Sequence, residues 1–329
     1  MITINDIQFF IITRNRSGLL EQTIKNLLSQ TAGIKEITVL DNESTDNTEE
    51  IVNKYYDKGV KYIKTFGDKA NYLTSVSMSS KLYTLIFHDD DLLNIKYIQL
   101  ALDMLNRYDN IAFITTSYTN FKDVNLINVN QNISKNHYLF LNQYDFALNM
   151  YFLEKIALCS CIFKTALLKS NPFEFEKYGK FFDWPYLVKM SSMGKVVLLA
   201  DRNMLYVRIH EGQWTYDKKS PLTMQQIVNW DKCFYDALSA GNTISIVRYM
   251  FIGRFRDFMY DKYKHFSCEE DKINFSKNDL LVLAEKTGIN TKGLFVMRIM
   301  LKLRVYRVIR KIFVSIIKIK NFKKVTCFC

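Results

Sequence analysis

Proline is nearly absent from this chain, at three in 329 residues, and glycine is sparse at eleven. Collagen-like, linker-rich and low-complexity classes draw heavily on those residues and are excluded. The six cysteines, Cys159, Cys161, Cys233, Cys268, Cys327 and Cys329, lack the density and regular spacing of a disulfide framework or a zinc motif, which favours a reducing compartment. No window reaches the roughly 20 consecutive apolar residues of a spanning helix. The opening MITINDIQFFIITRNR has neither a basic start nor an apolar run of signal-peptide length. The expectation is a cytoplasmic protein without a transmembrane segment.

Acidic residues are missing from one region altogether, since none follows Glu285. Twelve Lys and Arg between Lys286 and Cys329 account for the whole net charge of +12, so residues 1–285 balance at 33 of each sign. Within 303–319, Arg304, Arg307, Lys311 and Lys318 fall on one side of a helix and Val305, Val308, Ile309, Ile312, Phe313, Ile316 and Ile319 on the other, with Arg310 off the basic face. A basic face opposite an apolar stripe describes a helix lying on anionic lipid. Nucleic acid is not expected as a partner, because the stripe has no use in phosphate binding. Packing on another domain or subunit is the alternative.

What is present is a core: 48 % of residues are hydrophobic and 24 % charged, enough for a packed protein of about two domains at roughly 150 residues each. Short apolar runs at 7–13, 36–41, 60–65, 83–88 and 111–117 alternate with helical patterns. Over 17–30, Leu19, Leu20, Ile24, Leu27 and Leu28 share a face, and 46–56 does the same less fully. Strand and helix alternating at this spacing predict a mostly parallel sheet with right-handed crossovers. Ligands in such sheets bind beyond the carboxyl ends of the strands.

Three polar clusters follow strands there: Thr13-Arg14-Asn15-Arg16, Asp41-Asn42-Glu43-Ser44-Thr45-Asp46 and His88-Asp89-Asp90-Asp91. Solvated loops explain any one of them. Three adjacent carboxylates repel one another unless a cation or several donors neutralise them. Oxygen ligands suit Mg²⁺ or Mn²⁺, whose remaining positions go to water and substrate phosphates, so a nucleotide diphosphate is the expected co-ligand.

These residues carry a resemblance. Thr13-Arg14-Asn15-Arg16 is similar to the Thr-Tyr-Asn-Arg signature of inverting family 2 glycosyltransferases with the GT-A fold. Residues 39–48 resemble that family's Val-Val-Asp-Asn-Gly-Ser-Thr-Asp-Gly-Thr. Asp89-Asp90-Asp91 stands where the family has its Asp-x-Asp metal motif, and weaker likeness continues through Phe182-Asp183-Trp184 to Tyr206-Val207-Arg208-Ile209-His210. The resemblance implies an α/β fold: a GT-A, mostly parallel sheet flanked by helices, with a C-terminal helical extension. The expected division is a catalytic domain at 1–220, its nucleotide-sugar half at 1–120 and acceptor half at 121–220, then a helical region at 221–329 with the basic tail at 292–324.

By the same resemblance, Thr13, Arg14, Asn15, Asp41, Asn42, Lys69, Asn71, Asp89 and Asp90 contact a nucleotide-sugar donor, with Asp41 accepting from the N–H of a uracil. Asp91, Asp89 and His210 hold Mn²⁺ or Mg²⁺, and the metal-facing pair reads either as Asp89 with Asp91 or as Asp90 with Asp91. Asp183 is the general base that takes the proton from the acceptor hydroxyl; as a residue before Trp184-Pro185 it also reads as a helix cap. Departures are Arg14 in place of an aromatic, Phe182 in place of an acid, and Phe66 to Tyr72 in place of a Gly-rich stretch. The implied reaction moves one sugar, UDP-sugar favoured, to an oligosaccharide or lipid-linked surface-glycan acceptor at the inner face of the cytoplasmic membrane. A nucleotidyltransferase and a non-catalytic membrane-surface scaffold are the alternatives.

Overall fold

The computed structural model describes residues 1–133, 137–152, 156–201, 203–211, 213 and 222–239. The basic tail at 292–324 lies outside them, as do Cys268, Cys327 and Cys329. In chain order the elements are β1 (Ile7–Thr13), α1 (Ser17–Leu28), β2 (Ile37–Asn42), α2 (Thr48–Asn53), β3 (Val60–Thr65), α3 (Ala70–Met78), β4 (Tyr83–His88), β5 (Leu92–Leu93), α4 (Tyr97–Arg107), β6 (Ile111–Thr116) and β7 (Tyr118–Phe121). There follow β8 (His137–Phe140), α5 (Gln143–Phe152), β9 (Ile162–Lys164), α6 (Thr165–Ser170), α7 (Phe175–Tyr178), α8 (Asp183–Met190), β10 (Lys195–Leu199), β11 (Leu205–Arg208) and α9 (Met224–Ser239). Among the described residues, no helix is long and apolar enough to cross a membrane.

Among the described residues the chain clusters into two units, one of residues 1–141, 156–172 and 190–210, the other of 142–152, 173–189 and 211–239. The first is built on an eight-stranded sheet of order β3-β2-β1-β4-β9-β6-β10-β8. Four of its seven pairings are parallel: β3 with β2, β2 with β1, β1 with β4, and β6 with β10. The short β9 runs antiparallel between β4 and β6, a placement that periodicity alone does not reveal in three residues. A smaller sheet, β5-β11-β7, stands beside it in the same unit.

The apolar runs form strands because both faces of the sheet are covered. Phe10, Ile11, Val39, Phe87 and Phe113 are fully buried, and Phe113 packs on Phe163 with ring centroids 5.5 Å apart. α1 turns Leu20, Ile24 and Leu27 inward as its periodicity predicts, whereas Leu19 and Leu28 stay half-buried. Asn26, also inward, exchanges hydrogen bonds with both backbone groups of Leu93, its amide donating at 2.8 Å and its carbonyl accepting at 2.7 Å. A buried polar side chain is thereby satisfied, and α1 is tied to the segment after the acid cluster.

The strand order explains where the polar clusters go. From β1 the chain winds outward to β2 and β3, then returns to β4 on the other flank of β1. The winding therefore reverses between β1 and β4, which is where open α/β sheets leave a crevice at the carboxyl ends. Register places Thr13 beside Asp41, and Ile12 beside His88.

The second unit has an aromatic core. Phe173 and Tyr186 meet at 4.5 Å, Phe175 and Phe182 at 4.5 Å, and Trp230 and Phe234 at 4.4 Å between centroids. Phe182, at the position where the family carries an acid, is buried in this cluster, an environment that strongly disfavours an unpaired carboxylate.

Candidate active site

Asp89, Asp90 and Asp91 are 2 %, 4 % and 2 % exposed, so three adjacent carboxylates are taken out of water together. The fold answers by giving each different partners. Asp89 Oδ2 accepts from Thr13 Oγ1 at 2.7 Å, and its other oxygen accepts from Arg16 Nη1 at 3.0 Å. Asp90 Oδ2 meets the same Arg16 nitrogen at 3.2 Å and His210 Nε2 at 2.8 Å. Asp91 Oδ1 accepts the backbone N–H of Arg208 at 3.0 Å, while its Oδ2 lies 3.2 Å from Cys159 Sγ and 3.7 Å from His88 Nδ1. The turn itself is pinned by the Thr23 hydroxyl, which lies 2.9 Å from the carbonyl of Asp89 and 3.0 Å from that of Asp91.

The electrostatics follow from burial first. Burial pushes the Asp89 carboxyl up to about 6 against the pull of Arg16, with Asp90 raising it further. Asp91 is raised for the same reason, with His88 opposing. Burial works against charge on His88, but Asp91 and its two neighbours outweigh it and the imidazole moves up. Arg208, whose Nε donates to the Asp90 carbonyl at 3.0 Å and whose Nη2 donates to Gln22 Oε1 at 2.8 Å, is lowered by burial. Its guanidinium carbon also lies 4.6 Å from the centroid of the Phe121 ring.

The loops after β1, β2 and β3 form a second polar group. Asp41 is buried; its Oδ1 accepts from the Ser44 N–H at 3.2 Å and from the Ser44 hydroxyl, and its Oδ2 from Tyr62 Oη at 2.6 Å. Asn71 donates to the Thr13 carbonyl at 3.0 Å and accepts from Thr65. Asn15 bridges to the next loop, its N–H on Ser44 Oγ and its side chain accepting from the Thr45 N–H, each at 2.7 Å. Asn42 donates to the Gly67 carbonyl at 3.1 Å, and its own carbonyl oxygen is buried with no hydrogen-bond partner. Arg14 is exposed, and Lys69 pairs with Asp68 at 3.1 Å. Asn15, Glu43 and Lys69 all take positive φ, at 54°, 55° and 58°. Backbone held in this region by surrounding contacts is common at ligand-binding loops.

The structure thus brings Thr13, Asp89, Asp90, Asp91 and His210 into one network and sets Asp41 and Asn42 at the end of β2, Asn15 in the loop after β1 and Asn71 in the first turn of α3. His210 touches Asp90, not Asp91. Asp183 belongs to the other unit, in the first turn of α8, where the helix dipole favours a carboxylate. Sequence reasoning missed Arg16, Thr23, Tyr62, Cys159 and Arg208 as parts of the site. Arg16 is foreshadowed by its place in the first motif, and Arg208 by lying two residues before His210. Nothing in the chain signals Cys159, which is brought in from 68 residues away.

The family model for Glycosyl transferase family 2 matches residues 9–174, half of the chain, including the ends of β1 to β4 but not that of β11. Comparison with curated protein sequences finds no match. Among solved structures, S. aureus TarS 1–349 in complex with UDP-GlcNAc is 16 % identical, with 84 % of this chain and 79 % of that chain covered at a TM-score of 0.56. S. aureus TarS in a longer form is 15 % identical, with 92 % and 53 % covered at a TM-score of 0.58. The mannosyltransferase PcManGT from Pyrobaculum calidifontis in complex with GDP-Man and Mn²⁺ is 14 % identical, with 96 % and 87 % covered at a TM-score of 0.49. The TarS matches agree with the strand order in giving a glycosyltransferase fold of the GT-A type. With its family model resting on the very strands whose ends gather the acid cluster, the chain belongs to glycosyl transferase family 2 and is a glycosyltransferase.

Proposed function

We propose that this enzyme transfers a single sugar from a nucleotide-diphosphate sugar, a UDP-sugar in preference, to a hydroxyl of a surface-glycan or lipid-linked oligosaccharide, with inversion at the anomeric carbon. The observation that carries the reading is the placement of three buried carboxylates at the winding reversal of the sheet, with Arg16 balancing only part of their charge. Asp41 supplies an acceptor suited to a ring N–H, and the TarS fold holds a UDP-sugar in its crystal. Asp183 serves as the base for the acceptor hydroxyl.

The donor set fits a divalent cation. Asp91 and Asp89, with His210 beside Asp90, would hold Mn²⁺ or Mg²⁺; Asp91 itself meets a backbone N–H, a thiol and an imidazole. When bound, the ion supplies charge stabilisation to the departing diphosphate. The basic tail, outside the described residues, is assigned to the anionic membrane surface that carries the acceptor, at the inner face of the cytoplasmic membrane.

Thermal-shift measurements with UDP, GDP, CMP and their sugar conjugates, with and without Mn²⁺, test this reading. A ligand that binds only the folded state raises the midpoint by mass action. UDP is expected to stabilise the wild type in the presence of Mn²⁺ and to lose that effect in Asp91→Ala. Indifference to every nucleotide would remove the reading and favour the scaffold.

A further inference from the structure

Behind the acid cluster, three donors of different chemistry converge: His88 Nδ1, Asp91 Oδ2 and Cys159 Sγ. Among the described residues they form the grouping of possible cation ligands whose donor atoms all lie within 4.8 Å of one another. The sulfur is 3.2 Å and the imidazole nitrogen 3.7 Å from the same carboxylate oxygen. Zinc bonds of roughly 2.0–2.3 Å in a tetrahedron set such ligand atoms about 3.3–3.6 Å apart. The two distances to the carboxylate oxygen therefore stand close to the edge lengths of a tetrahedral site, and the sulfur and the imidazole nitrogen lie within 4.8 Å of each other.

Two further features point the same way. His88 Nε2 faces Tyr72 Oη at 3.0 Å, so the ring is oriented from outside and Nδ1 is the nitrogen turned to the carboxylate. Ligating histidines are commonly held by such a partner on their other nitrogen. Cys159 is fully buried and Asp91 nearly so, while a third of the His88 side chain is exposed, at 34 %. The set mixes thiol, imidazole and carboxylate, a combination that favours Zn²⁺ over the oxygen-seeking Mg²⁺.

We propose that Cys159, His88 and Asp91 form a binding site for a thiophilic divalent cation of the zinc type, with a fourth position open to water. The sulfur–metal bond forms as the thiol proton leaves to solvent, and no electron changes hands. The site goes beyond the transferase reading and shares only Asp91 with it. Its occupation withdraws that carboxylate from the donor-binding cluster, so zinc acts as a competitor of the catalytic cation.

Titration of the full chain with Co²⁺ tests the site without relying on activity. One equivalent is expected to produce sulfur-to-cobalt charge-transfer absorption with the visible bands of a four-coordinate centre, displaced by Zn²⁺. The signal is lost in Cys159→Ser and His88→Gln and kept in Cys161→Ser and Cys233→Ser. No charge-transfer band, or one that survives Cys159→Ser, overturns the site. X-ray absorption of the zinc-loaded wild type needs no variant: one sulfur at about 2.3 Å among nitrogen and oxygen ligands supports the site, and an all-oxygen shell overturns it. Failure of either leaves nucleotide-dependent stabilisation untouched, so the two readings stand or fall separately.

Discussion

Arg208 holds Asp91 through its backbone: the N–H of a residue 117 positions away donates to Asp91 Oδ1 at 3.0 Å. Its side chain turns instead to the carbonyl of Asp90 and to Gln22 on α1. One residue of β11 thus fixes a carboxylate oxygen of Asp91 and the turn that carries it.

Arg16 has the opposite task, neutralising Asp89 and Asp90 together at 3.0 and 3.2 Å. The Asp89 pKa of about 6 lies above its ordinary 3.8, so the folded state holds more protons than the unfolded state between those values. Stability from this group accordingly falls as pH rises through that window. Arg16→Met removes the opposing charge and raises the carboxyl further. Urea unfolding is expected to show a small penalty near pH 5 that grows to about 3 kcal/mol near pH 8. A penalty independent of pH would contradict the pairing.

Thr23 secures the turn by lying within hydrogen-bond distance of two buried carbonyls at once. Thr23→Val keeps the shape and strands both acceptors, at an expected cost of about 1–3 kcal/mol by denaturant unfolding. Thr23→Ser should recover most of that loss, because the hydroxyl returns.

Glu43 occupies a left-handed conformation, with φ at 55°, where the family pattern has glycine. Glu43→Gly relieves strain but adds freedom to the unfolded chain, so stability should change by less than about 1 kcal/mol. Glu43→Val, with a branched Cβ in the same region, should destabilise by about 1–2 kcal/mol or more. Equal effects of the two would show that the turn conformation is not what the position selects.

Much of this architecture was legible in the chain. The runs at 7–13, 60–65 and 83–88 coincide with β1, β3 and β4, and the runs at 36–41 and 111–117 differ from β2 and β6 by a residue, because short stretches rich in β-branched and aromatic residues, bounded by polar clusters, leave little choice of boundary. The triple aspartate after β4 was equally visible. The division of labour among its members was not, since each partner arrives from a distant segment: Thr13 and Arg16 from β1 and its loop, Cys159 from a turn beside β9, Arg208 and His210 from the end of β11. Cysteine spacing likewise gave no hint of a metal ligand, as Cys159 meets His88 and Asp91 only through the fold.

Asp183 is the residue proposed to take the proton from the acceptor hydroxyl. If it accepts the hydroxyl proton, Asp183→Asn should lower kcat by about 100-fold or more with little change in donor affinity. Loss of donor affinity with kcat preserved would assign it to binding instead.

The central claim is met most directly by following nucleotide release from UDP-sugars by the full chain, with Mn²⁺ supplied and then chelated, in wild type and Asp91→Asn. The account predicts UDP as the nucleotide product, released only with the cation and at least about 100-fold more slowly in the variant. Pyrophosphate release, or UDP release indifferent to both cation and Asp91, would contradict it.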